Sequence, residues 1–233
     1  MTVARGRSWL RWILWASLGA AGCTPPSATP MSIEVRYSAD AAHVPQAEAL
    51  ASARIGVALF NDKRPHASND LHAASYVAHD ASYDLGVSYG GRTFAPIAEV
   101  VQGLLVDELR HAGLNAEPLS AEVGPIDAAA AREAGEREHV DVVLGGGLRE
   151  LANGNVAIDG LLVEVAGGKT LLKTPFTASH KLGTDQPAQD LVDEVMNQSF
   201  KPVAHQMVAQ VAKQLEALLA AGTTEATEEK KPQ

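Results

Sequence analysis

The sequence predicts an α+β domain: a mixed β-sheet with helices packed mainly on one face, a long C-terminal β-hairpin and a C-terminal helix. Three observations carry this expectation. Apolar residues recur at helical spacing over 95–112 and again over 203–220. Two long strand-like runs flank the pair Gly167-Gly168, which is a hairpin signal. Between these regions, shorter runs alternate in polarity or stay continuously apolar, as half-buried and buried strands do. A chain of 233 residues can bury such a core without disulfide staples. Its one cysteine, Cys23, has no internal partner.

The chain opens with Arg5, Arg7 and Arg11, then an uncharged and mostly apolar run over 12–22. That run is shorter than the roughly 20 residues a membrane-spanning helix needs. It ends in Ala20, Ala21 and Gly22, small side chains of the kind a signal peptidase accepts before its cut. Residues 1–22 therefore read as a secretory signal. All three tryptophans, Trp9, Trp12 and Trp15, lie inside it. The run "LGAAGC" resembles the lipobox of bacterial lipoproteins, with Ala20 standing where leucine is usual. The resemblance implies that Cys23 becomes the new N-terminus and carries acyl chains. An ordinary secretory signal with an unmodified cysteine is the alternative.

Residues 23–31 form the modified cysteine and a Pro/Ser/Thr spacer, "TPPSATPM", which proline keeps extended. The folded domain is expected over 32–221 and a charged, disordered tail over 222–233. Loss of the leader takes the formal charge from −9 to −12. Such an acidic body excludes nucleic acid as a partner, because nucleic-acid sites are basic. It also excludes a broad electrostatic grip on anionic headgroups. Attachment to a membrane must then come from the acyl chains on Cys23. Each buried methylene is worth about 0.8 kcal/mol, and several chains hold firmly where one holds reversibly.

The elements follow in order. "SIEVRYS" (32–38) alternates Ile33, Val35 and Tyr37 and reads as a strand. "ARIGVALFN" (53–61) puts Ile55, Val57 and Leu59 on one face and Ala58 and Phe60 on the other. Residues 62–92 lack periodicity, and long irregular stretches are often functional; a short strand is expected near 85–89. Over 95–112, Ile97, Val100, Val101, Leu104, Leu105 and Leu109 make one helical face, opened by Pro96 and stopped by Gly113. A brief strand (115–119) and a polar, Ala-rich helix (126–138) with Asp127 near its start come next. "VDVVLGGGLREL" (140–151) reads as a central strand whose glycines mark a bulge or a close approach. Strands 155–165 and 169–182 make the hairpin. A helix begins after Pro187, and Pro202 is expected to kink or split it by pushing Lys201 out of helical geometry. Its second half, 203–220, ends at Gly222. There, Ala204, Val208, Val211, Leu215 and Leu218 form a two-heptad seam expected to pack on the protein's own sheet, with a partner groove as the alternative. No internal repeat is present.

Few residues suggest chemistry. "GVSYG" (86–90) matches the G-x-S-x-G of serine hydrolases, with Ser88 as nucleophile and a histidine such as His180 required within hydrogen-bond reach as base. The elbow needs a helix straight after the serine, and none is expected before Pro96. "GGKT" (167–170) lacks the upstream glycine of a phosphate loop, since Val163 stands there. The "GGG" run has no helix start behind it to hold a phosphate. His66, His72, His79 and Asp80, with Asp70 and Asp84, offer zinc or copper donors, but at loose spacing. No metal site and no cofactor is expected from these motifs. Asp62, Arg64 and Arg92 flank the same stretch, where a carboxylate–guanidinium pair would clamp the loop to the sheet.

The runs "RIGVALFNDKRP", "YGGRTFAPIAEVVQGLLVDELRHAGL" and "VDVVLGGGLREL", with the lipobox-like "LGAAGC" and the hairpin, resemble the YajG-like family of Gram-negative lipoproteins. The match spans roughly 53–181. The histidine-bearing insertion (66–83) and the extended C-terminal helix fall outside it. The element order is also similar to the curli-secretion and penicillin-binding-protein-activator lipoproteins. The resemblance implies an α+β domain on the periplasmic face of the outer membrane, and no catalytic residues. Thr24 after the cysteine implies outer-membrane sorting of the enteric type. The function expected is a non-enzymatic, lipid-anchored binding or scaffolding protein with another envelope protein as partner. The alternatives are an accessory lipoprotein of a lipid or lipopolysaccharide transport assembly, and a Ser88 hydrolase.

Overall fold

The computed structural model describes residues 29–65, 75–79, 83–183 and 186–228. The signal, Cys23, residues 24–28 of the spacer, and His66, Asp70, His72 and Asp80 lie outside the described residues. In chain order the elements are β1 (Thr29–Glu34), α1 (Ala47–Leu50), β2 (Arg54–Asp62), β3 (Tyr76–His79), β4 (Tyr83–Ser88), α2 (Ile97–His111), β5 (Asn115–Val123), α3 (Ala128–Glu138), β6 (Val142–Ala152), β7 (Asn155–Glu164), β8 (Thr170–Ser179), α4 (Ala188–Glu194), a π-helical stretch (Val195–Phe200) and α5 (Lys201–Glu228). The α+β class is as the sequence predicts.

A five-stranded sheet runs β5-β2-β6-β7-β8, and a three-stranded one runs β1-β4-β3. In the larger sheet β2 lies parallel to both β5 and β6, while β7 and β8 continue antiparallel. Helices α2 and α5 cover one face with the large apolar cluster. Helix α3 covers part of the other with a smaller one. Pro118 sits in β5 and Pro175 in β8, the two edge strands. Proline donates no backbone hydrogen bond, so both edges resist further strand pairing.

Several local expectations change. The alternation in 53–61 does not hold to its end. The register of β2 against both neighbours shifts after Val57. A bulge turns the following side chains over, so Phe60 joins Ile55 and Val57 in the large cluster while Ala58 faces the small one. The strand expected over 32–38 lies at Thr29–Glu34, pairing parallel with β4. Beyond Val35, whose N–H reaches Ser88, the chain leaves the ladder as an extended strap across the helices. The brief strand at 115–119 runs on to Val123.

The glycine run in β6 is a close approach, as read: a Cβ on Gly146 would lie 2.0 Å from the Asp159 carbonyl oxygen on β7. The hairpin connection is wider than a Gly-Gly turn. The Val165 N–H is drawn to the Asp141 carbonyl, just before β6, and the β7–β8 ladder closes with Glu164 N–H on the Lys169 carbonyl. Asp127 is the N-cap of α3, its carboxylate accepting from the Ala130 N–H at 3.0 Å.

Pro202 neither kinks nor splits its helix in the way expected. Lys201 keeps helical geometry (φ −54°, ψ −47°). The preceding turns widen into the π-helical stretch instead. This accommodates a ring that would otherwise press on the carbonyl one turn back, and a missing donor. Helix α5 also does not stop at Gly222 but continues to Glu228.

Candidate functional site

The residues singled out by motif separate in space. Ser88 ends β4, and its hydroxyl meets that of Ser32 on β1 at 2.6 Å. A tight Tyr89/Arg92 bridge follows, not a helix, so the sharp strand-to-helix turn of a nucleophile elbow is absent at this serine. His180 pairs with Glu194 at 2.7 Å. That bond, more than the Gly183 N–H beside it, holds the Glu194 carboxyl below its usual range against the opposing effect of burial.

Of Asp62, Arg64 and Arg92, the first two meet and the third lies apart. The buried Arg64 guanidinium grips Asp62 through Nε (2.9 Å) and Nη2 (2.7 Å) and also donates to the Tyr76 carbonyl on β3. It thus ties the end of β2 to the small sheet. Arg92 is exposed and reaches Glu99 in the first turn of α2. The tight turn that carries it points it at that helix start. Of the histidine stretch, only the backbone of His79, in β3, and Asp84, in β4, belong to the described residues.

A polar knot that no motif announced lies where the strap crosses α2 and α5. Its centre is Glu108, fully buried in α2. Tyr37 donates its phenolic O–H to Oε1, and the backbone N–H groups of Asp40 (3.1 Å) and Ala41 (2.8 Å) donate to Oε2. These bonds meet the requirement that a buried carboxylate be hydrogen-bonded. From α5, Lys201 Nζ donates to the Ser38 carbonyl (2.8 Å) and to Asp40 Oδ2 (3.1 Å), and lies 5.0 Å above the Tyr37 ring. Phe200 meets the same ring edge-on at 6.0 Å. One helical turn after Lys201, His205 Nε2 stands 3.0 Å from Asp40 Oδ1 and 3.5 Å from Glu108 Oε2.

The electrostatics follow from this placement. Burial first, and the bond to Glu108 second, push the Tyr37 phenol far above its ordinary range. The Lys201 ammonium holds the Asp40 carboxyl below the usual carboxylate range. Beside the knot, His205, Val208 and Ala212 of α5 face His43, Val44 and Pro45 of the strap across a groove of about 340 Å³. A second, larger groove of about 500 Å³ opens between α5 and the sheet, lined by Leu215, Leu218, Val140, Val142 and Val165 together with Asp141 and Glu164.

The knot had one signal in the sequence. Glu108 falls in the stripe Ile97, Val101, Leu104 that α2 buries, and a carboxylate on an apolar face must find partners. The partners themselves, from residues 37–41 and 201–205, left no pattern that could be read.

No family model matches the chain, and no curated protein does. Among solved structures it is similar to protein XCC0632 from Xanthomonas campestris, described under the family model DUF330. The TM-score is 0.51 at 11% identity, over 82% of this chain and 99% of that one. This likeness is one of fold. Looser similarities link it to lipoprotein GNA1162 from Neisseria meningitidis (TM-score 0.32, 15% identity, 63% of this chain and 96% of that one). The C-terminal domain of LpoB from Salmonella enterica is comparable (TM-score 0.31, 10% identity, 58% and 94%). Among the described residues, no helix is long and apolar enough to cross a membrane.

Proposed function

We propose that this protein is a lipid-anchored lipoprotein of the Gram-negative envelope that binds or scaffolds another envelope protein and performs no catalysis. The observation that carries the reading is "LGAAGC" behind a basic, apolar leader, followed by a short Pro/Ser/Thr run ahead of β1. The resemblance to YajG-like lipoproteins over 53–181 supports the same reading. Acyl chains on Cys23 hold the domain at the periplasmic face of the outer membrane, and its acidic body makes a protein the favoured partner over nucleic acid or an anionic bilayer surface.

The test is metabolic labelling with palmitate, followed by separation of the two membranes. The full chain takes up label and travels with the outer membrane. A Cys23→Ser variant loses the label and is recovered from the soluble periplasmic fraction. An unlabelled full chain, or a Cys23→Ser protein that still sediments with the membrane, overturns the reading.

The apolar groove under α5 favours one second reading, an accessory role in moving lipid. It presents aliphatic side chains in a concave surface, the chemistry an acyl chain requires. On this reading a fluorescent fatty acid binds the purified protein, and Leu218→Glu, at the groove's wall, weakens it at least tenfold. Unchanged binding in the variant removes the groove from consideration.

A further inference from the structure

We propose that Asp40, Glu108 and His205 form a binding site for one divalent transition-metal ion of the zinc type, fastening the strap to α2 and α5. The three residues come from three separate elements, and one ligand atom from each lies within 4.8 Å of the other two. His205 Nε2 is 3.0 Å from Asp40 Oδ1 and 3.5 Å from Glu108 Oε2. Ligand atoms held about 2.1 Å from a shared tetrahedral ion stand roughly 3.4 Å apart. The arrangement needs only small side-chain adjustments to take up the ion.

A second observation is independent of that clustering. His205 Nε2 is buried, yet neither carboxylate meets it in hydrogen-bonding geometry. A buried ring nitrogen normally has a partner, and the lone pair of a neutral imidazole is a metal donor. The surroundings of the carboxylates also fit. Ligating carboxylates are typically oriented by further hydrogen bonds. Asp40 is held by Lys201 on Oδ2, which leaves Oδ1 toward the histidine, and Glu108 is held by Tyr37 on Oε1; Glu108 Oε2 accepts two backbone N–H groups and gives up one of them to the ion. One imidazole with two carboxylates suits zinc and its neighbours better than calcium or magnesium, which take all-oxygen shells. Three protein ligands leave a fourth position open, and His205 also lines the 340 Å³ groove.

The competing arrangement is a metal-free ion cluster in which a protonated His205 bridges the two carboxylates. The experiment separates the two. The detergent-solubilised full chain, without a polyhistidine tag and stripped with chelator, is titrated calorimetrically with zinc chloride, with magnesium chloride as control. Cobalt(II) visible absorption provides the second readout. One equivalent of zinc binds at micromolar dissociation constant or tighter, and magnesium gives no heat. His205→Gln and Asp40→Asn, both at partly exposed side chains, keep the wild-type circular dichroism and lose zinc affinity at least a hundredfold together with the cobalt band. Absence of binding to the full chain, or equal binding by the two variants, overturns the site. The latter result would move the metal to the histidines of 66–80. Neither result bears on the lipid anchor, which is tested by Cys23.

Discussion

The two faces of the five-stranded sheet are built on opposite terms. Under α2 and α5 the layer is thick: Phe60, Phe200, Leu105, Leu109, Met196 and Met207 are all buried there. Under α3 the layer is thin, and Ala131, Ala134 and Gly135 bring the helix backbone close to Val143, Leu161 and Val163. A Cβ on Gly135 would stand 2.3 Å from a methyl of Val165. The thick face carries the burial free energy and tolerates a buried carboxylate, because the strap supplies it with donors from Tyr37, Asp40 and Ala41. The thin face is built of small side chains, and neither of the buried charged groups among the described residues, Arg64 and Glu108, belongs to α3. What differs is the size of the side chains, and that decides where polar chemistry can be housed.

The largest expected effect breaks the thick face. Phe200→Ala removes a fully buried ring that also supports Tyr37, and such deletions cost about 3–5 kcal/mol. Urea unfolding of the variant measures this directly. A cost below about 1 kcal/mol would mean that the π-helical stretch contributes little to the thick face. A smaller effect sharpens the thin face. Gly135→Ala gains helix propensity of up to about 1 kcal/mol, but overpacking against Val165 costs about 1–3 kcal/mol. A net loss near 1 kcal/mol is expected, and Val165→Ala in the same chain recovers part of it. Outright stabilisation by Gly135→Ala would show that the spacing of α3 is not set by contact.

How much of this was legible divides along the same line. The helix over 95–112, the hairpin and the central strand 140–151 were readable because period and turn chemistry are local. The bulge in β2 was not, because Ile55, Val57, Ala58 and Phe60 alternate perfectly until the neighbours' registers are known. Pro202 was read as a break because proline's local cost is certain. Its relief through a π-helical stretch depends on Val195, Met196 and Phe200 being held in the core. The knot joins residues from the strap, α2 and α5, and only the misplaced charge of Glu108 betrayed it. The pairing of Asp62 with Arg64 is local, since the two are two residues apart, whereas the partner of Arg92 depended on where α2 would begin.

The smallest effect concerns the other histidine–carboxylate pair at this end of the molecule. Glu194 ends α4, with its carboxyl held below the usual range chiefly by the hydrogen bond with His180. A carboxyl whose folded value is depressed contributes stability that is present above its unfolded value, about 4.3, and is lost as pH falls through the lower folded value. Acidification from about pH 4 downward should therefore loosen α4 from the end of β8, on the thick side of the sheet, while α3 on the thin side keeps its protection. Hydrogen exchange at pH 3.5 and pH 6 reads both regions in one experiment. Glu194→Gln, which cannot titrate, should show a smaller change between the two pH values at α4. If α3 loses protection first, or if the variant responds to acid like the parent, the pair does not hold this end of the thick face, and its acid sensitivity must come from another group.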